Sequence, residues 1–183
     1  MMSRERAVEL VTQHLSNKNL QKHVFAVEAV MRALAERYSG DPDVWGLAGL
    51  LHDLDYEQTL DDMERHGEIT VAMLREEGGV GDDVLHAIRA HVGHVERESD
   101  MDRAIYCADP VTGFIVACAL MHPAKKIAVL DFGFMERRFT EKRFAAGASR
   151  EQMTACSELG LELEEFMLIS RDAMASISKI LGL

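Results

Sequence analysis

Apolar residues recur along this chain at helical spacing, and little in the sequence interrupts them. Val8, Leu10, Val11 and Leu15 share one face of a segment from about Arg4 to Leu15. Val24, Val27, Val30, Met31 and Leu34 repeat the pattern in the next segment. Only three prolines occur and Met is frequent, so long helices meet few breakers. No stretch alternates apolar and polar residues with the period of a half-buried strand. The expected fold class is therefore all-α.

Turn and cap signals divide the chain further. Ser16-Asn17-Lys18-Asn19 reads as a turn that caps a second helix, which carries His23 and ends near Ser39-Gly40. Asp41-Pro42 is an N-cap followed by Pro at the first helical position. The third helix then runs from Val44 to about Asp53. It is apolar nearly all round (Trp45, Leu47, Ala48, Leu50, Leu51), which predicts burial, and Gly46 and Gly49 would let neighbours approach closely. His66 is expected to open a helix that Gly78-Gly79 stops, and Gly81-Asp82 to cap one ending near His91. Arg103 to Met121 reads as an apolar segment interrupted at Asp109-Pro110 and ended by His122-Pro123. Ser149-Arg150-Glu151-Gln152 resembles a capping box, and a last helix is expected from roughly Glu162 to Leu181. Its apolar face suits packing on the bundle or a homodimer contact.

A chain of 183 residues, 48% hydrophobic and 28% charged, suits one globular domain with one core. The net charge of −11, with no basic tract, argues against broad binding to a nucleic-acid backbone. A small anionic substrate stays open, because bound metal ions reverse the local field. No secretory leader or membrane-length apolar run is read, so no membrane partner is expected. Cys107, Cys118 and Cys156 are odd in number and widely spaced, which suggests reduced thiols and a cytoplasmic protein.

The chemistry lies in polar residues set into apolar helices. His23 sits inside the second helix, His52 and Asp53 close the third, and Asp109 interrupts an apolar segment. A buried ionised carboxylate needs compensation, and a divalent cation supplies it. Imidazole and carboxylate together suit Mn, Fe, Co, Ni or Zn, while a carboxylate-rich set with waters suits Mg. Other readings stay open. Asp109 can be an N-cap before Pro110, His66 a surface residue at a helix start, and His94 a rival to His91. Asp55 can orient a ligand or lie in a solvated turn.

The order His23, then His52-Asp53, then Asp109 resembles the H…HD…D pattern of the HD-domain metal-dependent phosphohydrolases. Leu50-Leu51-His52-Asp53-Leu54-Asp55 is similar to the HDIG branch, with Leu54 and Asp55 in place of Ile and Gly. Tyr106-Cys107-Ala108-Asp109-Pro110 looks like the final Asp segment of that family. The resemblance covers residues 20–115 or so. It implies a single helical bundle of the HD-domain type over residues 1–183, with a helical extension over about 122–183. Phe144-Ala145-Ala146-Gly147 is similar to uncharacterised bacterial and archaeal members and carries no assigned role.

The same resemblance implies that His23, His52, Asp53 and Asp109 bind one metal ion. Where a second ion is present, Asp53 would bridge both, with His66 and His91 at the matching places. The implied activity is hydrolysis of a phosphate ester or anhydride of a nucleotide or another small phosphorylated metabolite, by water activated at one or two divalent ions. A cation near the leaving group would help, and Arg89, Lys125 and Lys126 are candidates by position. Two rival readings keep the metal site: a di-iron oxygenase, and a sensor domain without turnover.

Overall fold

Several helices in this chain begin where a side chain can satisfy the first free amides. In the computed structural model, which describes residues 1–183, α1 (Arg4–His14) is capped by Ser3 and α2 (Lys18–Arg37) by Asn17. Asp41 caps α3 (Pro42–Leu51), with Pro42 at the first position as the sequence predicts. Short α4 (Tyr56–Thr59) and a 3-10 turn at Met63–Arg65 lead to α5 (Glu68–Glu77) and α6 (Asp82–His91). Then come α7 (Asp100–Met121), α8 (Phe132–Phe139), α9 (Arg150–Thr154), α10 (Leu163–Ser176) and α11 (Ser178–Leu181). The fold is all-α, without strands.

The two most apolar helices form the centre. All of α3 from Trp45 to Leu51 is buried, and it packs against α1, α2, α6 and α7. Gly49 makes the α2 contact: a Cβ there would lie 2.8 Å from the Glu28 amide nitrogen and 2.9 Å from the Val27 carbonyl oxygen. Gly46 faces only the flexible Arg32 side chain. α7 is long and apolar enough to cross a bilayer, yet most of it is buried against α2, α6, α9 and α10. The core runs without a break from Met2 to Leu181 and draws on both the motif region and the C-terminal helices.

Several boundaries differ from the sequence expectations. α3 stops at Leu51, which leaves His52 at its C-cap and Asp53 in the turn beyond. His66 precedes α5, because Gly67 takes φ +80° and the helix starts only at Glu68. Pro110 does not interrupt α7, and Asp109 is therefore no N-cap. A proline inside a helix loses one backbone bond. Here the flanking turns are fully buried at Cys107, Ala108, Val111, Phe114 and Ile115, and that packing outweighs the loss. The helix starts earlier than expected, at a capping box formed by Ser99 and Asp102. Ser149 caps the Gln152 amide. The final helix is two pieces divided at Ile177, with Phe166, Met167 and Met174 buried within the chain.

Arg150 organises the segment between α8 and α9. Its guanidinium donates to the carbonyls of Phe144 (2.6 Å), Ala148 (2.8 Å), Ala145 (3.1 Å), Phe139 (3.2 Å) and Arg138 (3.4 Å). It also lies 4.7 Å from the centre of the Phe114 ring. The three cysteines are free and buried; burial pushes the Cys118 thiol up to about 12 and Cys156 up to about 11.

Candidate metal centre

Four helices and one turn deliver the polar residues to a single point. α2 supplies His23, the C-terminus of α3 supplies His52 and Asp53, α6 ends on His91, and α7 supplies Asp109. His66 comes from the turn before α5. His52, Asp53, His66 and His91 are buried, while His23 and Asp109 keep 21% and 28% side-chain exposure toward a cavity of about 680 Å³. The cluster is thus wet on one side only.

Asp53 is the hub. Its Oδ1 lies 3.2 Å from His66 Nε2, 3.3 Å from His52 Nε2 and 3.6 Å from His91 Nε2. Its Oδ2 lies 3.5 Å from His23 Nε2. Asp109 Oδ1 lies 3.0 Å from His23 Nε2 and 3.8 Å from His52 Nε2. Two groups of ligand atoms result, His23–His52–Asp53 and Asp53–His66–His91, each with its atoms within 4.8 Å of one another. Asp53 belongs to both.

The hydrogen bonds on the far side of each ring decide what the near side can do. His52 Nδ1 donates to the Gly49 carbonyl at 2.8 Å, and His91 Nδ1 donates to the Ile88 carbonyl. His66 Nδ1 donates to Asp55 Oδ1 at 2.7 Å. The Thr112 hydroxyl donates to the Asp109 carbonyl at 2.9 Å, so its oxygen accepts from His23 Nδ1 at 3.0 Å. With each Nδ1 donating, every neutral imidazole turns the Nε2 lone pair inward. Those lone pairs face carboxylate oxygens and one another; His66 Nε2 and His91 Nε2 are 3.2 Å apart. His52 Nε2 is buried with no hydrogen-bond partner.

Acceptors facing acceptors repel unless a cation lies between them. A proton can serve, or a metal ion. Burial disfavours charge at His66, yet Asp53 and Asp55 outweigh it and raise its pKa to about 9. His52 is likewise raised, against its burial, by Asp53 and Asp109. Burial lowers His91. Despite burial, the surrounding imidazoles hold Asp53 well below the usual carboxylate range, and Asp109 is lowered by His23 and His52. The donor set of imidazole nitrogen and carboxylate oxygen fits a divalent first-row ion, and the orphaned His52 Nε2 is the atom such an ion would satisfy.

The six residues singled out in the sequence are brought together; the three cation candidates are not, and Lys126 is exposed and absent from the cavity wall. Arg89 donates to Glu68 at 2.7 Å and is absent from the cavity wall, and Lys125 is exposed in the loop after α7 with φ 47°. No Lys or Arg lines the cavity. His94 is exposed and bonds the His66 carbonyl, so His91 takes the inward place. Asp55 is fully buried, holding His66 and accepting the Thr70 amide at 2.9 Å, and is not in a solvated turn. Thr112 was not foreseen; its place three residues after Asp109, on the same helix face, is the available signal. Nor were Tyr56 and Gln152, which line the cavity beside Ala145, Gly147 and Ala148.

Comparison with known proteins agrees with this arrangement. The profile of the HD domain matches residues 20–129, from the start of α2 to beyond α7. Ribonuclease Y of Sulfurovum sp. (strain NBC37-1) is 26% identical over 163 residues, which is 87% of this chain. The chain spans about a third of that relative, 32% of its length. The matched segment takes in well over half of the chain and all six residues of the cluster, and the protein belongs to the HD-domain family.

Proposed function

We propose that the protein is a metal-dependent phosphohydrolase acting on the phosphate ester or anhydride of a nucleotide or other small phosphorylated metabolite. The observation that carries the reading is the convergence of four inward Nε2 atoms on Asp53 and Asp109 at the floor of an open cavity. His23, His52, Asp53 and Asp109 would hold one divalent ion, and Asp53, His66 and His91 a second. Bound ions of this kind lower the pKa of water to near neutrality and offset the charge of phosphate oxygens.

The chain's own part is placement. Gly49, Ile88, Asp55 and Thr112 fix the ring of each histidine before any ion arrives. Asp53, shared by both groups, sets their separation. The cavity wall has no Lys or Arg, so positive charge at the phosphate comes from the ions. The free, buried thiols suit the cytoplasm, and a homodimer is part of the same proposal.

The test is hydrolysis with protein loaded in turn with Mn, Mg, Fe, Co or Ni, read as phosphate release from nucleotides and phosphomonoesters and as strand cleavage of a short RNA. The RNA belongs in the panel because of the name of the relative. Turnover by the parent that is lost in Asp53→Ala is the expected result; none with any metal overturns the reading. The cation-free wall favours one alternative, a di-iron oxygenase, and spectroscopy of the iron-loaded protein separates the two.

A further inference from the structure

α7 carries a glycine for which packing offers no reason. Gly113 lies in the middle of the helix, with helical neighbours on both sides. Glycine is the least favourable residue in a helix interior apart from proline. It has no positive φ to justify it, it is exposed, and a Cβ there would meet nothing within 4 Å. Alanine would fit and would favour the helix.

What Gly113 does face is open space on both sides. It follows Asp109 by one turn, so it stands on the face that carries the metal cluster. It lines the cavity above the cluster, and it also lines a second cavity of about 440 Å³. His23 is the one other residue common to both. The second cavity is walled by Asn19, Lys22, Ala26, Val116, Leu120 and Leu181. Its only cation, Lys22, already donates to the Leu181 carbonyl at 2.9 Å.

We propose that Gly113 keeps open a passage joining the two cavities, and that the substrate is a phosphate ester whose uncharged, largely apolar remainder runs from the metal cluster over Gly113 into the second cavity. The inference rests on the phosphohydrolase reading. The bare backbone at Gly113 is the floor of the passage, and any side chain there stands in the path. The first cavity has no cation to accompany further phosphates, and the one in the second is engaged. Methylene groups, by contrast, gain by leaving water against Ala26, Val116 and Leu120.

The test uses the full chain loaded with Mn and a series of n-alkyl phosphates from ethyl to decyl. In the parent, kcat/KM rises with chain length. Gly113→Ala melts at a higher temperature than the parent and binds the same metal per chain. Its decyl-to-ethyl ratio of kcat/KM nevertheless falls by about tenfold, the scale of discrimination a tight apolar pocket achieves. Gly113→Leu lowers the ratio further. A ratio unchanged in Gly113→Leu, or a parent indifferent to chain length, overturns the passage and leaves the phosphohydrolase reading intact. A parent that releases phosphate from no ester, nucleotides included, overturns that reading and this inference with it.

Discussion

Asp55 shows how much of a metal site lies one residue behind the ligands. One oxygen takes the His66 Nδ1 proton and the other the Thr70 amide, so the carboxylate ties the turn before α5 to the cluster. Removing it frees His66 to change tautomer or rotate. Partners of this kind are worth about 10–100-fold in metal affinity. Asp55→Ala should therefore weaken the ion at Asp53, His66 and His91 by that factor while the ion at His23, His52 and Asp109 stays bound. Chelator competition reads this as one tight equivalent remaining; two tight equivalents would remove the role assigned to Asp55. The raised pKa of His66, about 9 in the ion-free protein, has its own consequence. A histidine with a raised pKa is protonated at pH 7, and a ligand must be neutral. Metal binding should then release protons, and affinity should rise with pH up to about 9. Calorimetry in two buffers of different ionisation enthalpy measures the release directly, and identical heats in both would contradict it.

At the scale of elements, two contacts set the geometry around the site. α3 can bring His52 and Asp53 to the His23 face of α2 only if the helices come close, and Gly49 allows it. A methyl group at Gly49 would meet the α2 backbone, which has little room to give. Overpacking of this kind costs about 1–3 kcal/mol. Gly49→Ala should lose stability by that amount in denaturant unfolding, with metal binding weakened in step. The other contact is the Arg150 clamp. Hydrogen bonds to a charged group contribute about 1.5–3 kcal/mol each at most and are not additive. Arg150→Met should loosen residues 138–148, seen as faster amide exchange confined to that segment, while the metal content stays that of the parent. Exchange unchanged there would mean the carbonyls are held by something else. α7 is the third element that matters. Asp109 and Thr112 reach His23 together only because the helix runs unbroken through Pro110.

The whole molecule is built around a point that is costly without a cation. Four buried or half-buried imidazoles and two carboxylates sit among apolar neighbours, and their lone pairs converge. An ion that binds the folded chain and not the unfolded one stabilises it by mass action, about 4 kcal/mol at a thousand times its dissociation constant. The melting temperature should rise with added Mn and fall with a chelator, and Asp53→Ala should abolish the difference. A melting temperature indifferent to metal would argue against the centre itself.

How much of this was legible in the sequence follows from the range of the interactions involved. Caps and helical periodicity are local, and they marked the starts of α1, α2 and α3, the last at Asp41-Pro42, while the end of α3 fell two residues short of the expectation. The order of His23, His52-Asp53 and Asp109 was legible because it is a pattern of residue types along the chain. The uninterrupted course of α7 was not, because a proline acts locally against a helix while the packing that overrides it comes from α2, α6 and α9. For the same reason Arg89 and Lys125 looked available by position, yet one is engaged by Glu68 across a helix pair and the other lies off the cavity. The sequence by itself determined an all-α chain with metal-type ligands inside apolar helices. Only the tertiary structure decided that His91 and not His94 faces Asp53, that every Nδ1 donates outward, that Arg150 gathers five carbonyls, and that Gly113 lines two cavities. Each of those depends on groups far apart in the chain meeting in space, and side-chain direction at such meetings is set by the packed core rather than by neighbours in sequence.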